Sequence, residues 1–101
     1  MQVRLLPVSN EVLSYVRVVE QELRSAGLRV EVDDSSETLP KKIRNAETQK
    51  IPVMAIVGTK EASAQTVSLR FHGGKDGGAR SLTAATSFLA EHVQKKSLHL
   101  P

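Results

Sequence analysis

At 101 residues with a net charge of +3, the chain is sized for one domain, spanning 1–101, that buries a single core without staples. It contains no cysteine, which excludes disulfides and thiolate metal sites and fits a reducing cytoplasm. The longest apolar run, Val53–Val57, is far too short to span a bilayer, and no signal-peptide pattern opens the chain. A cytoplasmic protein with no membrane partner is therefore predicted.

Residues 3–8 (VRLLPV) read as a buried strand with Arg4 as its only charge and Pro7 near its end, since proline cannot donate to a ladder. Ser9 and Asn10 offer N-caps to a helix whose apolar face is Val12, Val16, Val19, Leu23 and Ala26, closed by Gly27. Residues 28–33 alternate apolar and charged side chains, the pattern of a half-exposed strand nearer an edge than Val53–Val57.

Residues 33–38 (DDSSET) form a loop that leads into a helix with Thr38 as N-cap and Pro40 in its first turn. Its buried stripe is Leu39, Ile43 and Ala46, and Lys41, Arg44, Asn45 and Thr48 fall on the opposite side. A charged face is common to all amphipathic helices, so on its own it says only that this side meets water. Pro52 ends the helix at Ile51.

Val53–Val57 (VMAIV) has the continuous apolar pattern of a strand covered on both faces. A turn with a Lys60-Glu61 pair follows. Val67, Leu69 and Phe71 then alternate with Ser68, Arg70 and His72, which predicts a strand whose polar side projects Arg70. The glycine-rich stretch HGGKDGG reads as a loop before a short last strand near residues 79–82. A helix over 83–96 closes the fold, with Ala85, Phe88, Leu89 and Val93 inward and Lys95 and Lys96 in its last turn. The sum is an α/β fold in three layers, a mixed five-stranded sheet flanked by three helices in the order βαβαββ(β)α.

Charge is unevenly spread. Lys41, Lys42, Arg44, Lys50, Lys60, Arg70, Lys75 and Arg80 make residues 41–80 strongly basic, whereas the first 40 residues carry more acid than base. Such polarity suits a phosphate-bearing partner. Catalytic chemistry is not evident. His72, His92 and His99 lack metal-site spacing, His92 lies by the buried stripe of the last helix, and Ser35, Ser36 and Ser63 have no base nearby in sequence. Asp33 and Asp34 read as a polar loop before a helix. HGGKDGG is not a phosphate-binding P-loop, because Lys75 is followed by Asp76 rather than Ser or Thr. No active site and no cofactor are predicted.

Residues 2–8 with the Tyr15 helix, AGLRVEVD (26–33), KKIRNAETQKIPVMAIVGTKE (41–61), TVSLR (66–70) and GGKDGG (73–78) together resemble the anticodon-binding domain of class II aminoacyl-tRNA synthetases. The likeness is strongest to the C-terminal domain of threonyl-tRNA synthetase, and it runs over nearly the whole chain in register. It implies a non-catalytic module that reads a tRNA anticodon through the loop before the second helix, the basic face of that helix and polar residues of later strands. By position, the implied RNA-binding residues are Arg44, Glu61 and Arg70 as base readers, with Lys50, Lys41, Ser36 and Thr38 around them. Arg and Glu suit the edges of splayed bases, and lysines suit phosphates. The implied partners are the anticodon stem-loop of a threonine-accepting tRNA and the catalytic domain of a threonine–tRNA ligase.

Departures from the family pattern fall where RNA should touch. Ser35-Ser36-Glu37-Thr38 stands where the family has R-N-E-K, Pro40-Lys41 where it has Gly followed by Phe or Tyr, and Val53 where it has Tyr. Tyr15, Phe71 and Phe88 are the only aromatics, so stacking platforms are few. A second expectation follows from these losses: a protein-interaction or regulatory module that reuses the fold without specific tRNA recognition.

Overall fold

The structure is a computed structural model that describes residues 2–73 and 75–99, with side chains over 3–73 and 75–91. Five strands form one mixed sheet: β1 (Gln2–Pro7), β2 (Arg29–Val32), β3 (Val53–Val57), β4 (Thr66–Phe71) and β5 (Lys75–Ser81), in the order β2-β1-β3-β4-β5. β1 pairs in parallel with β2 and β3, while β3–β4 and β4–β5 are antiparallel. The helices are α1 (Leu13–Ser25), α2 (Leu39–Thr48), α3 (Thr59–Ala64) and α4 (Leu82–His99). The mixed sheet, its α/β layering and the edge position of the second strand are as expected from the sequence.

Alternation along β1 explains the layering. Val3 and Leu5 point to one face, with Val53, Ala55, Val57, Val67 and Leu69, and are covered by Val16, Val19 and Leu23 of α1 and by Ala85 and Leu89 of α4. Leu6 and Met54 point to the other face, under Ala46 of α2 and Ile51, with Leu39, Ile43 and Ile56 packed around them. The first cluster is the larger core. The second is small because, among the described residues, α2 alone contributes helix to its face and packs over β1, leaving the β4–β5 half of that face open.

Several local expectations are corrected. The Lys60-Glu61 turn is the six-residue helix α3, ended by Gln65 at a left-handed φ of 55°. It adds a fourth helix to the three expected. α1 is preceded by a 3-10 turn over Asn10–Val12, and Ser9, though extended, makes no side-chain cap. Gly27 does close α1, at φ +88°, where side chains are disfavoured.

The glycine-rich stretch is strand rather than loop from Lys75 onward, because β4 pairs with every residue of it to Ser81 except Gly77. Gly77 is demanded there: a Cβ would lie 2.7 Å from Phe71 Cε2 and 3.0 Å from Leu69 Cβ. Asp76 Oδ1 accepts the Gly78 N–H at 2.8 Å and shapes the irregularity opposite Leu69 and Arg70. β5 is tied to α4 by Arg80, whose guanidinium sits 4.1 Å above the Phe88 ring.

α4 begins at Leu82, where Ser81 Oγ accepts the Ala84 N–H, and runs beyond the expected 83–96. The expectations for Val93, His92, His99, Lys95 and Lys96 lie outside the described side chains.

Among the described residues two cations are buried. Arg4 gives Glu31 and Gln49 one hydrogen bond each at 2.7 Å, joining edge strand β2 to the C-cap of α2. Lys42, 3% exposed, donates through Nζ to the Pro7 carbonyl at 2.8 Å. Lys42 was not expected in the core. Its place follows from helical spacing, three residues after Leu39 and four before Ala46.

Candidate nucleic-acid interface

On the face that carries α2, strand register lines up Glu31, Arg4, Met54, Arg70 and Asp76 in one row across all five strands. α2 covers the Arg4 end, where its C-cap residue Gln49 takes a hydrogen bond from Arg4. The Arg70 end is uncovered. There Ile56, Ser68, Leu69, Arg70 and Asp76 line an open concavity of about 480 Å³. Arg70 Nε is buried and has no hydrogen-bond partner among the described residues. A buried guanidinium donor without an acceptor is destabilising, and an incoming acceptor would relieve it.

Glu61 reaches this face from α3. Its Oε1 accepts the N–H of Gly58, the N-cap of that helix, at 2.7 Å. Its Oε2 lies 3.4 Å from Ser68 Oγ, two residues before Arg70 on the same side of β4. One oxygen of the carboxylate therefore serves the fold, and the other is bonded to Ser68, which lines the concavity. Tyr15 donates from its hydroxyl to the Thr66 carbonyl at 2.9 Å, holding the start of α1 against the start of β4. Burial, and secondly the negative charge of Glu61, push the Tyr15 pKa above its ordinary 10.0.

The other sequence-predicted residues lie along α2 and the loop before it. Thr38 is the N-cap of α2, and its hydroxyl takes the Lys41 N–H at 3.4 Å. The Lys41 ammonium is 3.2 Å from Glu37, so its charge is locally paired. Arg44 is exposed on α2, and Lys50 is exposed just past its end at a left-handed φ of 57°. Ser36 lines a second crevice of about 260 Å³ beside Val8, Ser9, Asn10 and Lys42.

The structure thus places Glu61 against Ser68, which lines the concavity with Arg70, and groups Ser36, Thr38 and Lys41 at the start of α2. Gly58 lies between Glu61 and Val8: a Cβ there would lie 3.0 Å from Glu61 Oε1 and 3.3 Å from Val8 Cγ2. Ser68, Asp76 and Lys42 line these concavities and were missed as candidate site residues. The alternation that singled out Arg70 puts Ser68 on the same side, but only the β4–β5 register places Asp76 opposite Arg70. Among the described residues no group of three His, Cys, Asp or Glu is placed to hold a metal ion, and no helix is long and apolar enough to cross a membrane.

Known proteins resemble this chain in sequence and in fold. The family model described as "Anticodon binding domain" matches residues 2–95. The threonine–tRNA ligase of Synechococcus elongatus is 44% identical over 99 residues, covering 98% of this chain and 16% of the ligase. That of Thermosynechococcus vestitus is 53% identical over 81 residues, covering 80% of this chain and 13% of the ligase. The chain thus spans less than a fifth of the length of these relatives. Among solved structures, the RNA binding domain of threonyl-tRNA synthetase from Cryptosporidium parvum superposes with a TM-score of 0.83 at 27% identity, over 89% of this chain and 23% of that one.

Proposed function

The chain belongs to the anticodon binding domain family, and from that premise we propose that it binds the anticodon stem-loop of a threonine-accepting tRNA as part of a threonine–tRNA ligase. Its relatives at 44% identity carry that ligase name, and the match falls on one segment of them. On this reading the rest of the ligase supplies the chemistry of aminoacylation and works in the cytoplasm. This chain supplies recognition.

The observation that carries the proposal is an open concavity lined by Ser68 and Arg70, with Glu61 bonded to that Ser68. A carboxylate oxygen accepts from base amino and imino groups, and a guanidinium donates to base carbonyls and ring nitrogens. A hydroxyl between them can do either. The unpartnered Arg70 Nε is a donor in waiting. Arg44 and Lys50, exposed along α2 and at its end, supply positive charge for the RNA backbone. Lys41 contributes less, because Glu37 pairs with it. Thr38 acts through the α2 cap, which sets where the loop carrying Ser36 lies.

A fluorescence titration of a threonine-tRNA anticodon stem-loop at several salt concentrations tests this. The proposal expects binding that weakens with salt by roughly 0.7 log units per log unit for each phosphate neutralised. It also expects tighter binding to the matched anticodon than to a scrambled loop. No binding of either loop at low salt would overturn it.

A further inference from the structure

The Lys42 crevice is not accounted for by base reading. The geometry points to a subsite for one backbone phosphodiester of the bound RNA, floored by the Lys42 ammonium and walled by Ser9, Asn10 and Ser36. This assignment rests on the anticodon-binding reading above and adds to it a fixed point for the RNA backbone.

Lys42 is 3% exposed, yet Pro7 O is its sole hydrogen-bond acceptor among the described residues. An ammonium has three protons to donate, and burying one with a single neutral acceptor is costly. None of the ion pairs among the described residues involves Lys42. Glu37, which shares the crevice, is engaged by Lys41 at 3.2 Å. Lys42 lines an open space of about 260 Å³, whose other polar lining groups include three serines, Ser9, Ser35 and Ser36, and Asn10. Those groups donate to anionic oxygens in the way phosphate sites require.

Position strengthens the assignment. The crevice lies beyond the carboxyl ends of parallel strands β1 and β2, where open α/β sheets receive ligands. It also lies at the N-terminal, positive end of α2, a helix of ten residues. Val8, 48% exposed, lines the crevice and meets Gly58, whose N–H is held by Glu61. A strand with a phosphate at Lys42 thus runs past Val8 onto the Glu61–Ser68–Arg70 face without leaving the protein surface.

The test is a scan of the anticodon stem-loop in which each loop phosphate in turn is replaced by a neutral methylphosphonate, read against wild type, Lys42→Met and Ser36→Asp. At one position the replacement should weaken wild-type binding roughly tenfold, as loss of a charged hydrogen bond does, and leave Lys42→Met unaffected. The salt slope of Lys42→Met should be shallower by about 0.7. Ser36→Asp, at an exposed position that does not threaten the fold, should repel the phosphate and match the loss if Lys42→Met fails to fold. Normal binding and an unchanged slope in Ser36→Asp, alongside weakened binding in Arg70→Ala, would overturn the subsite and leave the anticodon reading standing. Inorganic phosphate binding in the crevice with a flat methylphosphonate scan would give it to a free anion and overturn the RNA assignment. A wild-type chain that ignores the stem-loop would remove both.

Discussion

Ser68 Oγ lies 3.4 Å from Glu61 Oε2, while the other oxygen of that carboxylate takes the Gly58 N–H at 2.7 Å. Glu61 is thus shared between the start of α3 and the open face of β4. Removing it would confuse the two roles, since Glu61→Ala leaves an orphan donor at the helix start and should cost about 0.5–2 kcal/mol. Glu61→Gln retains a carbonyl oxygen for Gly58 and turns an amide donor toward Ser68. Urea denaturation should show the alanine variant clearly less stable than the glutamine one.

Arg4 offers a test of the small α2 core. Its guanidinium is buried and binds Glu31 and Gln49, so Arg4→Ala removes both bonds and opens a gap between β2 and α2. The loss should be on the order of 1–3 kcal/mol, less than for a fully buried pair because the Glu31 side chain is 49% exposed and regains water. Glu31→Gln should cost under about 1 kcal/mol. Chemical denaturation of both variants checks the ordering.

How much of this was legible in the sequence depends on the periodicity of each segment. Val53–Val57 and the heptad-like spacing of Val12, Val16, Val19 and Leu23 announced the central strand and α1, since burial imposes those patterns. β5 gave no such signal. Lys75, Asp76, Gly77 and Gly78 look like loop residues because this edge strand is exposed and has little apolar burial to record in its sequence. α3 was hidden by brevity, as six residues hold too little periodicity. The resemblance singles out Arg70 and Glu61 as candidate site residues. The burial of Lys42 and the pairing of Lys41 with Glu37 are tertiary and loop facts that residue type alone does not reveal.

Gly77 is the position in β5 where substitution should be felt. Gly77→Ala forces a methyl against Phe71 and against the Leu69 carbonyl, 3.1 Å away. A destabilisation of about 1–3 kcal/mol is expected. Ala79→Ser, exposed on the same strand, should change stability by less than about 0.5 kcal/mol. Thermal melts of the two variants compare them directly.

Tyr15 predicts an alkaline dependence. Its folded-state pKa is raised above the ordinary 10.0, so the neutral phenol is favoured in the native chain. The stabilisation is fully present below about pH 10 and is lost as pH rises through the raised folded value. Tyr15→Phe should be less stable than wild type at neutral pH, having lost the bond to Thr66, and the difference should narrow above pH 10. Urea titrations across that range provide the measurement.

Ser36 and Thr38 stand where the family has asparagine and lysine, but the structure separates them. Thr38 caps α2, so Thr38→Lys should lose about 1 kcal/mol of stability before any gain in RNA binding. Ser36 is exposed and lines the Lys42 crevice, so Ser36→Asn adds an amide donor and acceptor at no cost to the fold. Ser36→Asn alone should tighten binding to the matched stem-loop, by up to roughly tenfold if a base or phosphate gains one bond. Restoring both residues should gain less than Ser36→Asn alone. Titration with circular dichroism control distinguishes these outcomes.

The central claim, that Glu61 reads a base, is tested most directly by Glu61→Gln on matched and scrambled anticodon loops at one fixed salt concentration. Removing a negative charge strengthens purely electrostatic attraction to RNA, whatever the sequence. Removing a base-edge acceptor weakens recognition of the right base alone. The account predicts weaker binding to the matched loop and no loss on the scrambled one, with Arg70→Ala weakening the matched loop more than lost charge alone accounts for. Equal or stronger binding of Glu61→Gln to both loops would contradict it.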